Sequence, residues 1–280
     1  VGRLVAPYIL AALFLVVIDR VSLSILTPVP RAPDRTVPET GVDHEDLIIR
    51  SGDHDLGAWL LKPTGEPHRP LVLLAHGWGA NYSLLLQLAE PLVSEGYEVL
   101  LFDVQGHGRN EPVPFVTIRH FRDDVLAVAE YANGRFPQRP ILLVGHSLGG
   151  SACVLAAAEG ARVDGVITIA SPSDVVRVTA EFLSAQGMPG GILAKLFIPF
   201  WWRRAGSRFG PLTPSKRIHE VRIPVRIVQP ENDNRVSGGH AEALSSASGQ
   251  DVTLVQGAGH NDVLGREETR EVVRTLLTQI

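Results

Sequence analysis

Short apolar runs alternate along the chain with longer segments in which apolar residues recur at helical spacing. Segment 120–135, for example, has apolar residues three or four positions apart, which predicts a helix. Two strands joined through Gly52 and Asp53 predict a hairpin near the start of the pattern. The later apolar runs are typical of strands buried on both faces of a parallel sheet, and they occur at 71–75, 98–102, 141–144, 166–170, 225–228 and 252–255. This alternation predicts an α/β fold with a mostly parallel, doubly wound sheet.

One segment interrupts the alternation. Residues 172–220 contain no strand pattern, a glycine-rich break at 187–191 and an apolar, aromatic run at 192–202. An insertion between two strands of a parallel sheet predicts a helical cap over the carboxyl edge of the sheet, where ligands bind. Three interpretations of the apolar run stay open. It is a helix packed on its own domain, a wall of an acyl pocket, or an interfacial membrane contact that uses the aromatic residues with Arg203 and Arg204.

The first 41 residues do not follow the strand–helix pattern. Residues 4–18 carry no charge, and this part of the predicted N-terminal hydrophobic segment 1–26 spans roughly 22 Å as a helix. A secretory signal, a signal anchor and a packed helix all fit, and a membrane-directed segment is favoured over a core helix. The four prolines within 27–41 predict a semi-extended linker. The main domain is therefore expected at 42–280, in a membrane-associated or exported protein rather than a cytoplasmic one.

Composition excludes several classes of function. The chain has 280 residues with a formal net charge of −4, so it lacks the clustered positive charge that nucleic-acid binding needs. Its single cysteine, Cys153, allows no internal disulfide and no zinc site built from cysteine pairs. The sequence has no phosphate-binding glycine loop and no histidine or carboxylate cluster with metal-ligand spacing. We expect neither a cofactor nor a metal.

The strongest chemical signal lies between the predicted strand at 141–144 and the helix that follows it. Gly145-His146-Ser147-Leu148-Gly149-Gly150 places a serine between two glycines on a sharp strand-to-helix turn. Such a turn strains the backbone and brings neighbouring chain segments close together, which glycines permit. The serine oxygen then stands free above the sheet, so Ser147 is the candidate nucleophile.

With this motif and three others in the same order, residues 42–280 resemble the α/β-hydrolase fold family. His76-Gly77-Trp78-Gly79 is similar to the family's oxyanion loop, and the resemblance implies that the backbone N–H groups of Trp78 and Leu148 hold the oxyanion. Asp103 to Gly108 is similar to the loop after the family's fourth strand, where we interpret Asp103 and His107 as structural.

The remaining two motifs supply an acid and a base. Pro230-Glu231-Asn232-Asp233 resembles the family's acid turn, with proline in place of its usual glycine, and Gly257-Ala258-Gly259-His260 lies where the family has its base. The chain order Ser147, Asp233, His260 is the order of this fold. Asp174 is the main rival for the acid, because some members carry it after the sixth strand. Glu231 is a lesser rival.

The resemblance implies a serine hydrolase that cleaves a small-molecule carboxylic ester through an acyl-enzyme. A serine peptidase, an acyltransferase on the same three residues, and a non-catalytic binding protein with this fold are the alternatives. Membrane association through residues 1–26 and the cap is a further expectation. The fold hosts many chemistries, so the acyl and alcohol groups stay open.

Overall fold

Eight strands form one sheet in a computed structural model that describes residues 2–68 and 70–280. The sheet order is β1-β2-β4-β3-β5-β6-β7-β8, with antiparallel pairing of β1 with β2 and of β2 with β4 and parallel pairing elsewhere. The strands are β1 (Asp43–Ser51), β2 (His54–Lys62), β3 (Leu71–Ala75), β4 (Glu98–Phe102), β5 (Ile141–His146), β6 (Gly165–Ile169), β7 (Val225–Pro230) and β8 (Val252–Val255). The predicted mostly parallel α/β sheet, including the hairpin at its start, is confirmed.

Helices cover both faces of the sheet. The helices are α1 (Gly2–Leu26), α2 (Val37–Thr40), α3 (Tyr82–Ser94), α4 (Ile118–Arg135), α5 (Leu148–Ala158), α6 (Val175–Ala185), α7 (Gly190–Ala205), α8 (Pro214–Arg217), α9 (Gly238–Ser248) and α10 (Glu267–Leu277). Helices α4, α5 and α9 contribute to the apolar core on one face, and α3 and α10 contribute to the core on the other. Strand β3 serves both cores, since Leu71 and Leu73 belong to the first and Val72 and Leu74 to the second.

The segment expected to form a cap is helical. Between β6 and β7, the chain forms α6 and α7, a short 3-10 turn, α8 and a second 3-10 turn, with no strand in that stretch. Asp174 begins α6 as its N-cap, because its carboxylate accepts hydrogen bonds from the backbone N–H groups of Val176 and Arg177. Helices α6 and α7 pack against each other as a pair.

The Pro-rich segment before β1 lies on the domain and makes specific contacts with it. The side-chain amide of Asn81 donates to the carbonyls of Arg31 and Ala32. Arg35 pairs with Glu90 at 2.7 Å, and Val37 is fully buried in the core beneath α3. These contacts fix the path of residues 31–37, which the composition alone predicts only as semi-extended.

Helix α1 is long and apolar, and most of it lies outside the core. Residues Pro7–Leu26 have a mean hydropathy of 2.3, and only 11% of this stretch is buried. Their 20 residues span about 30 Å, the thickness of a bilayer's hydrocarbon core. The expected segment begins at residue 1, which lies outside the described residues. Near its end, α1 packs on α7, where Ile18 joins a cluster with Leu183, Phe197 and Trp201.

Candidate active site

Ser147 occupies a strained turn at the carboxyl end of the central strand β5. Its backbone has φ 53° and ψ −127°, a region that non-glycine residues rarely adopt. The turn is held by a hydrogen bond of 2.8 Å from the Ser147 N–H to the carbonyl of Ile169, at the end of β6. A strained backbone persists only where the surrounding structure imposes it. Here the end of β6 does so, through this hydrogen bond to Ser147.

The glycines of this motif allow three chain segments to meet. A methyl group added to Gly149 would overlap the carbonyl oxygen of Ala75, and one added to Gly145 would overlap Gly150. A methyl group at Gly77 would lie 2.6 Å from Cβ of Ser147. The close approach predicted from the glycines is therefore present, and it places the His76–Gly79 loop directly beside the serine.

The two expected oxyanion donors flank this contact. Leu148 is the first residue of α5, whose N-terminal N–H groups have no partners within the helix. Trp78 follows Gly77, the residue against which Ser147 packs. Within the described part of the chain, neither backbone N–H donates to another backbone carbonyl. Both are thus available to a ligand oxygen, although their role as an oxyanion hole stays a prediction.

His76 fixes the loop that carries Trp78. Its Nδ1–H donates to the carbonyl of Gly77 at 2.8 Å, and its Nε2 accepts the N–H of Val104 at 3.0 Å. Burial, with a smaller contribution from nearby His107, lowers the pKa of His76 to about 3. His76 is therefore neutral at pH 7, and its tautomer is set by these two bonds. Asp103 accepts the N–H of Tyr82 at 2.7 Å, which agrees with a structural role.

Asp233 and His260 are in direct contact at the ends of β7 and β8. Oδ2 of Asp233 lies 2.8 Å from Nδ1 of His260, and the side chains are 1% and 7% exposed. The other carboxylate oxygen accepts the backbone N–H groups of Arg235 and Val236. Burial raises the pKa of Asp233, but the hydrogen bond and charge of His260, together with these amides, outweigh it and leave the pKa lowered. Asp233 is an anion at pH 7.

The rival acids have other partners. The carboxylate of Asp174 caps α6, as described above. Glu231 accepts the N–H of Gly257 at 2.8 Å, and so ties the acid turn to the loop that carries His260. Neither carboxylate contacts His260 among the described residues. The structure also records no hydrogen bond between Ser147 Oγ and His260 there, and such bonds are often long in unliganded enzymes.

Comparisons with known proteins find similar sequences for parts of this chain. The sequence model of the family described as "Serine aminopeptidase, S33" matches residues 66–201. Human monoglyceride lipase is 32% identical over 132 residues, which cover 46% of this chain and 42% of the lipase. An uncharacterised protein of Mycobacterium tuberculosis is 28% identical over 242 residues, 84% of this chain and 79% of that protein. The chain thus matches less than half the length of the human lipase.

The fold match to solved structures extends over nearly the whole chain. The esterase Pf2001 of Pyrococcus furiosus superposes with a TM-score of 0.71 at 17% identity, covering 91% of this chain and 99% of the esterase. The chain has the α/β-hydrolase fold. A proline iminopeptidase of Mycobacterium smegmatis has the same fold, with a TM-score of 0.63 at 17% identity and coverage of 84% and 98%.

One residue beside the candidate nucleophile contacts the candidate base, and sequence reasoning missed it. Nε2–H of His146 donates to the backbone carbonyl of His260 at 2.7 Å, and the two rings lie 4.7 Å apart. Burial, followed by the neighbouring His260, lowers the pKa of His146 to about 3. The contact joins residues 114 positions apart. No local pattern could have indicated it.

The first helix of the predicted cap segment, α6, is hydrogen-bonded to α9 and to the turn before it. His240 of α9 accepts the N–H of Ser173 at 3.1 Å through Nδ1, and its Nε2 lies 3.2 Å from Glu181. Arg177 donates to the carbonyl of Gly239 at 3.0 Å. These contacts hold α6 against α9. Ser147 is half-buried.

Proposed function

We propose that the chain is a serine hydrolase that cleaves carboxylic esters, with Ser147 as nucleophile, His260 as base and Asp233 as the acid that orients it. The observation that carries the proposal is the 2.8 Å contact between Asp233 and His260 at the same sheet edge as the strained Ser147 turn. Because Asp233 engages Nδ1, the opposite nitrogen, Nε2, is free to take a proton from Ser147.

The proposed reaction has two halves. Ser147 Oγ attacks the ester carbonyl while His260 Nε2 takes its proton, and the developing oxyanion accepts hydrogen bonds from the N–H groups of Trp78 and Leu148. Collapse releases the alcohol with the proton from His260 and leaves an acyl-serine. A water molecule, deprotonated by His260, then releases the acid. Asp233 stabilises the imidazolium in both halves.

A serine peptidase is the second candidate, since the matching family model and one solved neighbour are described as peptidases. The cap argues for an ester instead. An aminopeptidase must bind a substrate ammonium group, for which a carboxylate is the natural partner. Within the cap segment 172–220 the acidic side chains are Asp174, Glu181 and Glu220, and each already has a partner. Asp174 caps α6, Glu181 pairs with Arg177 at 2.9 Å and His240 at 3.2 Å, and Glu220 pairs with Arg217 at 2.8 Å. The remaining cap surface suits an apolar acyl group.

A panel of p-nitrophenyl esters of graded acyl length, measured beside an aminoacyl anilide, tests the reaction class. We expect turnover of the esters and none of the anilide. A fluorophosphonate probe should label the wild-type protein once and Ser147→Ala not at all, while ester turnover by that variant falls by several orders of magnitude. Labelling that survives in the variant would refute the nucleophile assignment.

We also propose that α1 places the protein at a membrane, as an anchor or an export signal. The support is its length and composition, given above, together with the exposure of its side chains between residues 8 and 17. Carbonate extraction of a membrane fraction tests this. Release of the full chain into the soluble fraction without processing would contradict it.

A further inference from the structure

The last turns of α1 are bound to α7 by polar contacts as well as by apolar packing. Arg204 of α7 is only 6% exposed, and its guanidinium pairs with the carboxylate of Asp19 at 2.7 Å. The indole N–H of Trp201 donates to the carbonyl of Ser22, a fully buried residue, at 3.1 Å. Arg204 is therefore not available to lipid headgroups, and the expected interfacial contact through the arginine pair is wrong for this residue. The end of α1 is a fixed part of the fold.

The segment that follows α1 is held on the loop between β4 and α4. We call residues 26–35 the strap. The carbonyl of Leu26 accepts the N–H of Val116 in that loop at 2.7 Å. A methyl group added to Gly106, also in the loop, would lie only 2.9 Å from Cγ of Pro28. The first part of the strap therefore packs directly on the backbone of this loop.

The second part of the strap is bonded to Asn81, the N-cap of α3. The side-chain amide of Asn81 donates to the carbonyl of Arg31 at 3.0 Å and to that of Ala32 at 3.2 Å. Its oxygen accepts the backbone N–H of Ser83 at 2.9 Å, which caps the helix. Asn81 is only 6% exposed. Among the side chains that cap helices well, only asparagine can accept from the helix and also donate two hydrogens to a neighbour.

Asn81 also ends the turn that carries Trp78. The turn starts at His76, whose ring is fixed as described above, so residues 77–80 connect two buried, hydrogen-bonded side chains. With so few residues between the two ends, a shift of Asn81 moves the backbone N–H of Trp78. The strap contacts the turn's surroundings a second time, because the β4–α4 loop carries His107, whose ring lies 5.2 Å from that of Trp78.

We propose that Asn81 is a positioning residue for the oxyanion donor Trp78 and that the strap is the template that holds Asn81 in place. The inference rests on the proposed function, because the oxyanion exists only in that reaction. Loss of a donor outright lowers kcat by about 10²–10³-fold. Loss of the strap contacts displaces the donor and leaves it present, so its effect is smaller. The Pro-rich segment thus acts on catalysis through Asn81.

Two substitutions separate the helix cap from the strap contact. Asn81→Ser keeps a good cap, but a single hydroxyl cannot donate to both strap carbonyls. Asn81→Asp keeps the cap and the size of the side chain, and it replaces the amide donors with a carboxylate oxygen that faces the same carbonyls. If one of the two variants does not fold, the other decides the question.

Asn133→Ser is the matched control. The side-chain amide of Asn133 also donates to two carbonyls, those of Ala129 at 2.7 Å and Arg162 at 2.8 Å. Arg162 precedes the start of β6, whereas Ser147 follows the end of the parallel strand β5. The control therefore removes the same kind of contact at the opposite edge of the sheet.

Steady-state kinetics on the full chain in detergent gives the first readout, with active sites counted by a fluorophosphonate probe. We expect Asn81→Ser to lower kcat for a p-nitrophenyl ester by about 10- to 100-fold with KM unchanged, since small misplacements of a catalytic group have effects of this size. Asn81→Asp should lower kcat at least as much. Asn133→Ser should not change kcat per titrated site.

Binding of a trifluoromethyl ketone gives a readout that lower stability would not move. Ser147 Oγ adds to the ketone carbonyl while His260 takes the serine proton, and the resulting oxyanion occupies the same position as that of the transition state. The dissociation constant of the ketone, measured by protection against the probe, should rise by the same factor as kcat/KM falls. A protein that is only less stable has fewer titrated sites and an unchanged constant.

Unchanged kcat and an unchanged ketone constant in the folded Asn81 variants would overturn the inference and leave the ester function standing. Equal losses in Asn81→Ser and Asn133→Ser would overturn it as well. A wild-type protein that binds the ketone but hydrolyses no ester would refute the ester function, and the ketone constants would still decide the role of Asn81. A wild-type protein that does neither would overturn both proposals.

Discussion

The candidate base is held on two sides by single hydrogen bonds. Asp233 accepts from the ring of His260 at 2.8 Å, and His146 donates to its backbone carbonyl at 2.7 Å. One bond sets the tautomer, and the other sets the position of the loop on which the ring is carried. The side chain of Asp233 is 1% exposed and His146 is buried, so both bonds are shielded from water.

The two acids considered from the sequence can be separated by kinetics. Asp233→Asn should lower kcat for an ester by about 10⁴-fold, because the amide favours the wrong tautomer of His260. Asp174→Asn should lower kcat far less, because Asp174 caps α6 and asparagine also caps helices well. Steady-state kinetics with one p-nitrophenyl ester gives both values. A larger loss for Asp174→Asn would move the acid to the end of β6.

His146 should make the stability of the protein depend on pH. Its pKa is about 3 in the folded state and near 6.5 ordinarily, so only the unfolded state takes up a proton between these values. The free energy of unfolding contributed by His146 is therefore complete above pH 6.5 and falls by about 1.4 kcal/mol per pH unit below it. Urea unfolding of wild type and His146→Gln should give a difference in stability that narrows from pH 7 to pH 4. A constant difference would contradict the buried neutral state.

At the scale of elements, α7 has two faces with different partners. Phe197 and Trp201 are buried against α1 and α6, while Ile192, Leu196 and Trp202 are exposed. Continuous apolar residues in a sequence do not distinguish a buried helix face from an exposed one. Here the distinction follows from where α1 packs.

Two adjacent tryptophans of α7 provide a matched test. Trp201→Ala should lower the free energy of unfolding by about 3–5 kcal/mol, because it leaves a cavity and removes the hydrogen bond to Ser22. Trp202 is 37% exposed, so Trp202→Ala should lower the free energy of unfolding much less. Thermal unfolding of the two variants in the same detergent measures the difference. Equal losses would mean that α1 does not pack on α7 as described.

On the scale of the whole molecule, the segment before β1 contributes to the core. Val37 is fully buried beneath α3 although it precedes the expected start of the domain at 42. The domain start at residue 42, inferred from the proline content before it, stays a prediction. The contacts of residues 31–37 with α3 and the core favour an earlier start.

A pair of truncated chains tests that boundary. A protein of residues 27–280 should have a higher free energy of unfolding than one of residues 42–280. The difference should be at least the free energy gained by burying the Val37 side chain, about 1.5–3 kcal/mol. Urea unfolding of both proteins gives the difference, and the absence of α1 from both removes its contribution. Equal stability would support the boundary at 42.

The α/β class, the order of the strands along the chain and the turn that carries Ser147 could be predicted from the sequence. These features depend on residues close together in the chain: the periodicity of apolar residues, the spacing of glycines and the few residues that connect a strand to the next helix. Asp233 and His260 could be named because parallel strands end at one edge, so motifs after successive strands come together. Three features became visible only in the folded chain: the contact of His146 with His260, the burial of Val37 and the pairing of Asp19 with Arg204. Each joins residues far apart in the chain, and such contacts depend on how whole elements pack, which no local pattern encodes.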